Sequence, residues 1–407
     1  MRPRARLIVI LAAMVAAICV IAGPLAAVGA AQSTAKGPAT SSRSVLDAIG
    51  GPLMADHSTV VHYPAGHPRL LPSVPASAWV IANASTGQVL AARDPHGQFG
   101  PASTLKVLTA ITLIPRLNPD AMVTASQQAA SVEPNIVGLI PGHKYQVADL
   151  FRALLLISAN DAAVALTQAT GSFSRGMALI NAEAHHLQAY DVVAKQPNGL
   201  PAAGQVVSAY DEALIARQAL ATPAFMKYDS TLATRFEVKP GHFETLLNQN
   251  YLLTKYPGGI GGKIGWTVSS EATYIGMARR HGVTLIVTIL HCTPLQEITS
   301  AEKLLNWGFA MNGKVQPVGT LVSPLATTAH PAMAAAGKSD ARSGSGARVP
   351  NGAKTGAAAL ADQAVAGEHS GGSGVPVYAL AGGAVALAGL AAGGLLLTRR
   401  KLAAARK

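Results

Sequence analysis

From Leu325 to Pro376 the chain reads LATTAHPAMAAAGKSDARSGSGARVPNGAKTGAAALADQAVAGEHSGGSGVP, a stretch nearly devoid of aromatic and large aliphatic residues. A segment folds only if the apolar surface it buries offsets the entropy lost on ordering, and this one has too little to bury. It is expected to be a disordered tether. Any folded body must therefore lie before it, although the chain continues to residue 407.

Both ends are also unlike a globular core. Residues 1–31 run from the basic MRPRAR into the apolar LIVILAAMVAAICVIAGPLAAVGAA, the layout of a secretory signal peptide. Ile18, just before Cys19, is bulkier than a lipid-attachment site usually carries. Val377–Leu397 is an uncharged run of twenty-one residues, long enough to cross a hydrocarbon core of about 30 Å as a helix. Residues 398–407, TRRKLAAARK, follow it directly. By the positive-inside rule this basic tail is cytoplasmic, and the body between the two apolar segments lies on the outer, cell-wall side of the membrane.

This layout also disposes of the charge. Of the formal +12, eight basic residues sit at the two ends: Arg2, Arg4, Arg6, Arg399, Arg400, Lys401, Arg406 and Lys407. The external part is only mildly basic, so a nucleic-acid partner is not expected. Of two cysteines, Cys19 leaves with the signal peptide and Cys292 stands alone, so stability rests on an ordinary core rather than on a disulfide.

The folded body is expected over residues 77–318, with residues 32–76 as an N-terminal extension. It opens with two β-rich runs, Ala78–Asn83 and Gln88–Arg93, around the turn Ser85-Thr86-Gly87. Next comes GPASTLKVLTAITLI, whose apolar residues Leu105, Val107, Leu108, Ile111 and Leu113 suit a buried helix starting near Ser103. In the first turn of a helix, free N–H groups favour developing negative charge near Ser103. Lys106 lies one turn further along the same face, within reach of the serine hydroxyl.

Ser-x-x-Lys also occurs at Ser33–Lys36 and, within an amphipathic helical stretch, at Ser300–Lys303, so spacing alone does not select Ser103. Its company does. Ser158-Ala159-Asn160 falls between two helical runs, Leu154–Ile157 and Ala162–Thr167, and Ser-x-Asn occurs once in the chain. The plain alternative is an N-cap for the second helix. Further on, YPGGIGGKIGWT leads through glycines into strand-like Trp266–Thr267, Thr273–Ala278 and Val283–Leu290, placing Lys263 at the start of an edge strand that a ligand can approach. A literal Lys354-Thr355-Gly356 lies inside the tether with no strand pattern around it.

Ser103-x-x-Lys106, Ser158-x-Asn160 and Lys263-x-Gly265, in this order, resemble the three boxes of the serine D-Ala-D-Ala carboxypeptidases, the low-molecular-weight penicillin-binding proteins. The likeness extends through VGLIPGHKYQVADLFRALLLISANDAA, QPNGLPAAGQVVSAYDEALIARQAL and NQNYLLTKYPGGIGGKIGWT, most of residues 77–310. It implies an α+β, β-lactamase/transpeptidase-like fold, with an antiparallel sheet flanked by helices plus an all-α subdomain. It implies Ser103 as nucleophile, Lys106 as its base, and Ser158 with Asn160 as proton relay and substrate orienter. Lys263 would face the substrate carboxylate, with Gly265, Trp266 and Thr267 beside it on the substrate-binding strand. The N–H groups of Ser103 and Trp266 would form the oxyanion hole. The implied substrate is a peptidoglycan pentapeptide, with β-lactams as acylating inhibitors, and no metal or cofactor is implied.

Two positions depart from the family pattern. Ile264 stands where a threonine or serine hydroxyl usually bonds the substrate carboxylate, and Pro201 stands where an acidic residue usually follows the Gly-Leu pair. Ile264 keeps two other readings open: a weakened or non-catalytic peptidoglycan-binding homologue, and a β-lactamase or esterase. The second would add a glutamate-held deacylating water, as class A β-lactamases do. His57, His62 and His67 recur every five residues, which fits neither one helix face nor metal spacing.

Overall fold

The computed structural model describes residues 48–66 and 68–326. The expected signal peptide, the tether beyond its first two residues, the apolar run Val377–Leu397, the basic tail and Lys354-Thr355-Gly356 lie outside them. Among the described residues, no helix is long and apolar enough to cross a membrane.

The architecture is built on a seven-stranded antiparallel sheet. In chain order its strands are β1 (Thr59–Val61), β2 (Ala76–Asn83), β3 (Gln88–Arg93), β4 (Gly259–Thr267), β5 (Glu271–Arg280), β6 (Val283–Cys292) and β7 (Gly319–Thr320). Across the sheet the order is β1-β3-β2-β6-β5-β4, with β7 also pairing with β3. The two hairpin strands expected at the start of the body are thus central, and the strand of Lys263 forms one edge.

Alternation along the central strands divides the core into two layers. Trp79, Ile81, Leu285, Val287 and Ile289 point to one face, and Ala78, Val80, Ala82, Ile286 and Leu290 to the other. Buried on both faces, these strands are apolar nearly throughout. The first face is covered by α7 (Glu297–Met311) through Leu304, Leu305, Trp307 and Met311. Gly308 permits this close seat, because a Cβ there would lie 2.4 Å from Ile81 Cδ1. The Ser300–Lys303 repeat falls within α7, where Ser300 is buried with its hydroxyl 3.9 Å from the sulfur of buried Cys292, a packing role.

On the other face lies a helical body: α1 (Leu105–Leu113), α2 (Val147–Leu156), α3 (Asn160–Gln168), α4 (Phe173–His186), α5 (Ala209–Leu220) and α6 (Pro223–Asp229). Every residue of α1 is buried, which accounts for its lack of a charged face.

The folded body begins earlier than residue 77. Met54 is fully buried in the core, and Thr59–Val61 pairs with Ala91–Arg93. Short, Pro-rich and polar, this segment carries little hydrophobic periodicity of its own. Its place in the sheet comes from pairing with a strand thirty residues away. His57 bonds Asp94 through Nδ1 at 2.6 Å; His67 lies outside the described residues.

Candidate active site

Ser103 sits in a single 3₁₀ turn, Ala102–Thr104, that leads into α1. Ala102, just before it, is held at φ 46°, a left-handed conformation that a residue with a Cβ adopts at a cost of about 1 kcal/mol or more. Two glycines make room for this turn. A Cβ at Gly199 would fall 1.6 Å from the carbonyl oxygen of Ala102, and one at Gly265 would fall 2.7 Å from the backbone nitrogen of Ser103. The loop Asn198-Gly199 and the edge strand β4 are thereby both pressed against the nucleophile's backbone. Gly199→Ala, which also forces a side chain onto φ +81°, is expected to cut acylation of Ser103 by about a hundredfold and to lower thermal stability, measured by penicillin labelling and calorimetry.

Lys106 is completely buried on the first turn of α1. Its Nζ has three neighbours: Ser103 Oγ at 2.8 Å, Asn160 Oδ1 at 2.7 Å and the Asn198 carbonyl oxygen at 2.7 Å. Asn160 Nδ2 donates to the Glu133 carbonyl at 2.8 Å, which turns Oδ1 towards the lysine. Two of the three neighbours can therefore only accept. A neutral amine satisfies both with its two N–H bonds and leaves its lone pair facing the serine hydroxyl, the arrangement of a base ready to take that proton. Burial, and then the nearby Lys263 charge, hold the ammonium well below the usual lysine range, against an opposing pull from Asp161.

Ser158 lies at the junction of α2 and α3 with φ 63°, and its buried Oγ has no hydrogen-bond partner among the described residues. It does not cap α3, since the N-cap position is Ala159, without a side-chain bond. Asp161 fixes the neighbouring loop by accepting from the backbone nitrogens of Val137, Gly138 and Leu139 at 2.8–3.0 Å. The junction thus delivers Asn160 to Lys106 from a rigid support.

Lys263 lies in the middle of β4 rather than at its start, buried, with Nζ donating to the Ile264 carbonyl at 2.7 Å. Burial brings its pKa down to about 7, with the Asp229 charge pulling the other way. Asp229 ends α6 and accepts from Gly262 N–H at 2.7 Å through Oδ2. Its carboxyl is in turn pushed up to about 7 by burial. Asn250 braces the same strand, donating to Gly262 O at 3.2 Å and accepting from Tyr274 OH at 2.6 Å.

Along β4 the inner face carries Lys263 and Gly265, while Ile264 packs with the outer cluster, cross-strand from Tyr274. Trp266 is 58% exposed at the open edge. Thr267 closes the turn between β4 and β5, where its Oγ1 accepts from Ser270 N–H at 3.0 Å and keeps its own proton to donate.

The structure thus gathers Ser103, Lys106 and Asn160 in one bonded group, with the Lys263 charge acting on Lys106 and Gly265 against the nucleophile's backbone. Sequence reading missed Asn198 and Asp229. Asn198 had a signal, a Pro-Asn-Gly turn, but it contributes a backbone carbonyl that no side-chain pattern reports. Asp229 had none. His96, Asp191 and Asp211 also cluster, but His96 is engaged at both ring nitrogens, by Asp191 at 2.6 Å and the Ile49 carbonyl at 2.9 Å.

A serine whose hydroxyl faces a desolvated lysine, between a helical body and a sheet edge, defines an acyl-transferring serine enzyme of the penicillin-binding, transpeptidase-like α+β fold. The chain belongs to peptidase family S11, the D-alanyl-D-alanine carboxypeptidases, whose pattern residues 65–293 match. It is 36% identical over 257 residues to the D-alanyl-D-alanine carboxypeptidase DacB2 of Mycobacterium tuberculosis, covering 62% of this chain and 88% of that one. A crystal structure of a D-alanyl-D-alanine carboxypeptidase from the same organism superposes with TM-score 0.59 and 35% identity, over 63% of this chain and 99% of that one. A Streptomyces DD-transpeptidase structure superposes with TM-score 0.57 and 26% identity, over 60% and 100%.

Proposed function

We propose that this D-Ala-D-Ala carboxypeptidase trims peptidoglycan stem peptides through an acyl-enzyme on Ser103. The observation that carries this reading is the bonding of Lys106, whose two acceptors leave its lone pair for the Ser103 hydroxyl. Oγ attacks the carbonyl carbon between the two terminal D-alanines while its proton passes to Lys106 Nζ. The tetrahedral adduct then collapses, the C–N bond breaks, and the departing D-alanine amine takes up a proton, with the Ser158 hydroxyl as relay. Water cleaves the resulting ester and restores Ser103. Lys263 faces the terminal carboxylate, and the substrate backbone runs along the open edge of β4.

A penicillin mimics the same dipeptide, so intact mass spectrometry tests the reading directly. A stable adduct on Ser103 together with D-alanine release from a pentapeptide supports it. A folded protein that forms no adduct and releases no D-alanine sinks it, leaving the binding homologue, and rapid drug hydrolysis would indicate a β-lactamase instead.

Ile264 stands where the family usually carries a hydroxyl that bonds the substrate carboxylate. Ile264→Thr is therefore expected to raise kcat/KM for the peptide about tenfold, the value of one hydrogen bond to a charged group. No change would show that this residue does not limit activity.

The apolar run Val377–Leu397, flanked by Arg399, Arg400 and Lys401, supports anchoring in the bacterial cell membrane after export by the signal peptide of residues 1–31. The tether of residues 325–376 then sets the reach of the catalytic body into the wall. Truncation before Val377 is expected to release the enzyme from the membrane fraction.

A further inference from the structure

Directly beneath the nucleophile is a buried acid that the reaction described above does not use. Glu212, on the first turn of α5, is 1% exposed and bonds through Oε1 to the hydroxyl of Thr104, the residue after Ser103. The Thr104 hydroxyl also lies 2.6 Å from the carbonyl oxygen of Pro101, which accepts a further bond from Thr273 Oγ1 at 2.9 Å. A threonine hydroxyl has one proton, and a carbonyl oxygen can only accept. The one Thr104 proton cannot serve both contacts: with it on Pro101, the proton between Thr104 and Glu212 comes from the carboxyl group.

This network spans the turn that presents Ser103. Pro101 and Thr104 bracket Ala102, whose left-handed backbone needs external support, and Thr273 ties the same carbonyl to β5. We propose that Glu212 is a positioning residue: a neutral carboxylic acid that donates to Thr104 and, through Thr104 and Pro101, holds the Ser103 turn in its attacking geometry. Burial, and then the adjacent Asp211 charge, favour that neutral form. The other oxygen, Oε2, is buried without a partner among the described residues, which a carbonyl oxygen tolerates better than a carboxylate would.

The inference rests on Ser103 as nucleophile, and the test keeps the two apart. Penicillin acylation rates and peptide kcat and KM would be compared at neutral pH for the full chain and for its Glu212→Gln and Glu212→Leu variants. Glu212→Leu is expected to slow acylation about 30-fold through kcat, with KM little changed, because the Thr104 hydroxyl loses its donor. Glu212→Gln, whose amide N–H still donates, is expected to stay within about threefold of the parent. The infrared band of protonated carboxylic acids should lose the intensity of one acid in Glu212→Gln relative to the parent. If Glu212→Leu fails to fold, Thr104→Val reads the same link and should lower kcat similarly. Acylation of Glu212→Leu at the parent rate, equal impairment of Glu212→Gln and Glu212→Leu, or no loss of that band intensity would overturn the proposal. An unacylated parent would instead overturn the role of Ser103.

Discussion

Ser103→Ala is expected to abolish the covalent penicillin adduct and to lower D-alanine release by on the order of 10³-fold or more, with no loss of thermal stability. The change removes only the hydroxyl oxygen. Lys106 keeps Asn160 Oδ1 and the Asn198 carbonyl as partners, so no new buried charge is stranded. What disappears is the atom that forms the ester, and the surviving groups can bind substrate and polarise its carbonyl but cannot hold the acyl group. Intact mass after penicillin treatment and a D-alanine assay on the same samples would check this. An adduct retained in the variant would place the nucleophile elsewhere.

Lys106→Met should cost on the order of 10²–10⁴-fold in acylation rate, the usual range for a lost general base. The pH dependence is more specific. Lys106 is competent only when neutral, so the rate is present above its lowered pKa and is lost as pH falls through it. Lys263 is useful to a carboxylate only when protonated, and with a pKa of about 7 that help is lost as pH rises through about 7. The profile of kcat/KM for the peptide is therefore expected to be bell-shaped, with its alkaline limb near 7. The Lys263 charge acts on Lys106, so the limbs belong to the pair. Lys263→Met removes the charge that helps depress Lys106 and should move the acid limb of penicillin acylation to higher pH. An unmoved acid limb would mean that burial alone sets the Lys106 ionisation.

Where the sequence placed residues in the elements that now carry them, the signal was local. Ser103 and Lys106 were legible because the apolar spacing of Leu105–Leu113 declares a buried helix and three residues along a helix return to the same face. Ser158 and Asn160 were legible because polar residues interrupt two apolar helical runs. Strands β2, β3 and β6 followed from their β-branched and alternating patterns. β4 and β5 were visible only in part: the glycines of Gly259–Gly262 have low strand propensity, yet they extend β4 because they are paired with Gly276–Ala278 across the ladder.

Composition alone set the expectation of where a core can exist: a segment without large apolar side chains buries too little to offset its own ordering. Local periodicity determined the helix that presents the nucleophile. Tertiary structure decided the chemistry around that nucleophile. The acceptor that fixes the Lys106 lone pair is a backbone carbonyl 92 residues away, and the acid over Thr104 comes from a position 108 residues away. The register of β4 decided that Lys263 and Gly265 face the serine while Ile264 packs on the other side. Such pairings depend on how the whole chain buries its apolar faces, and that long-range sum has no local signature in the letters.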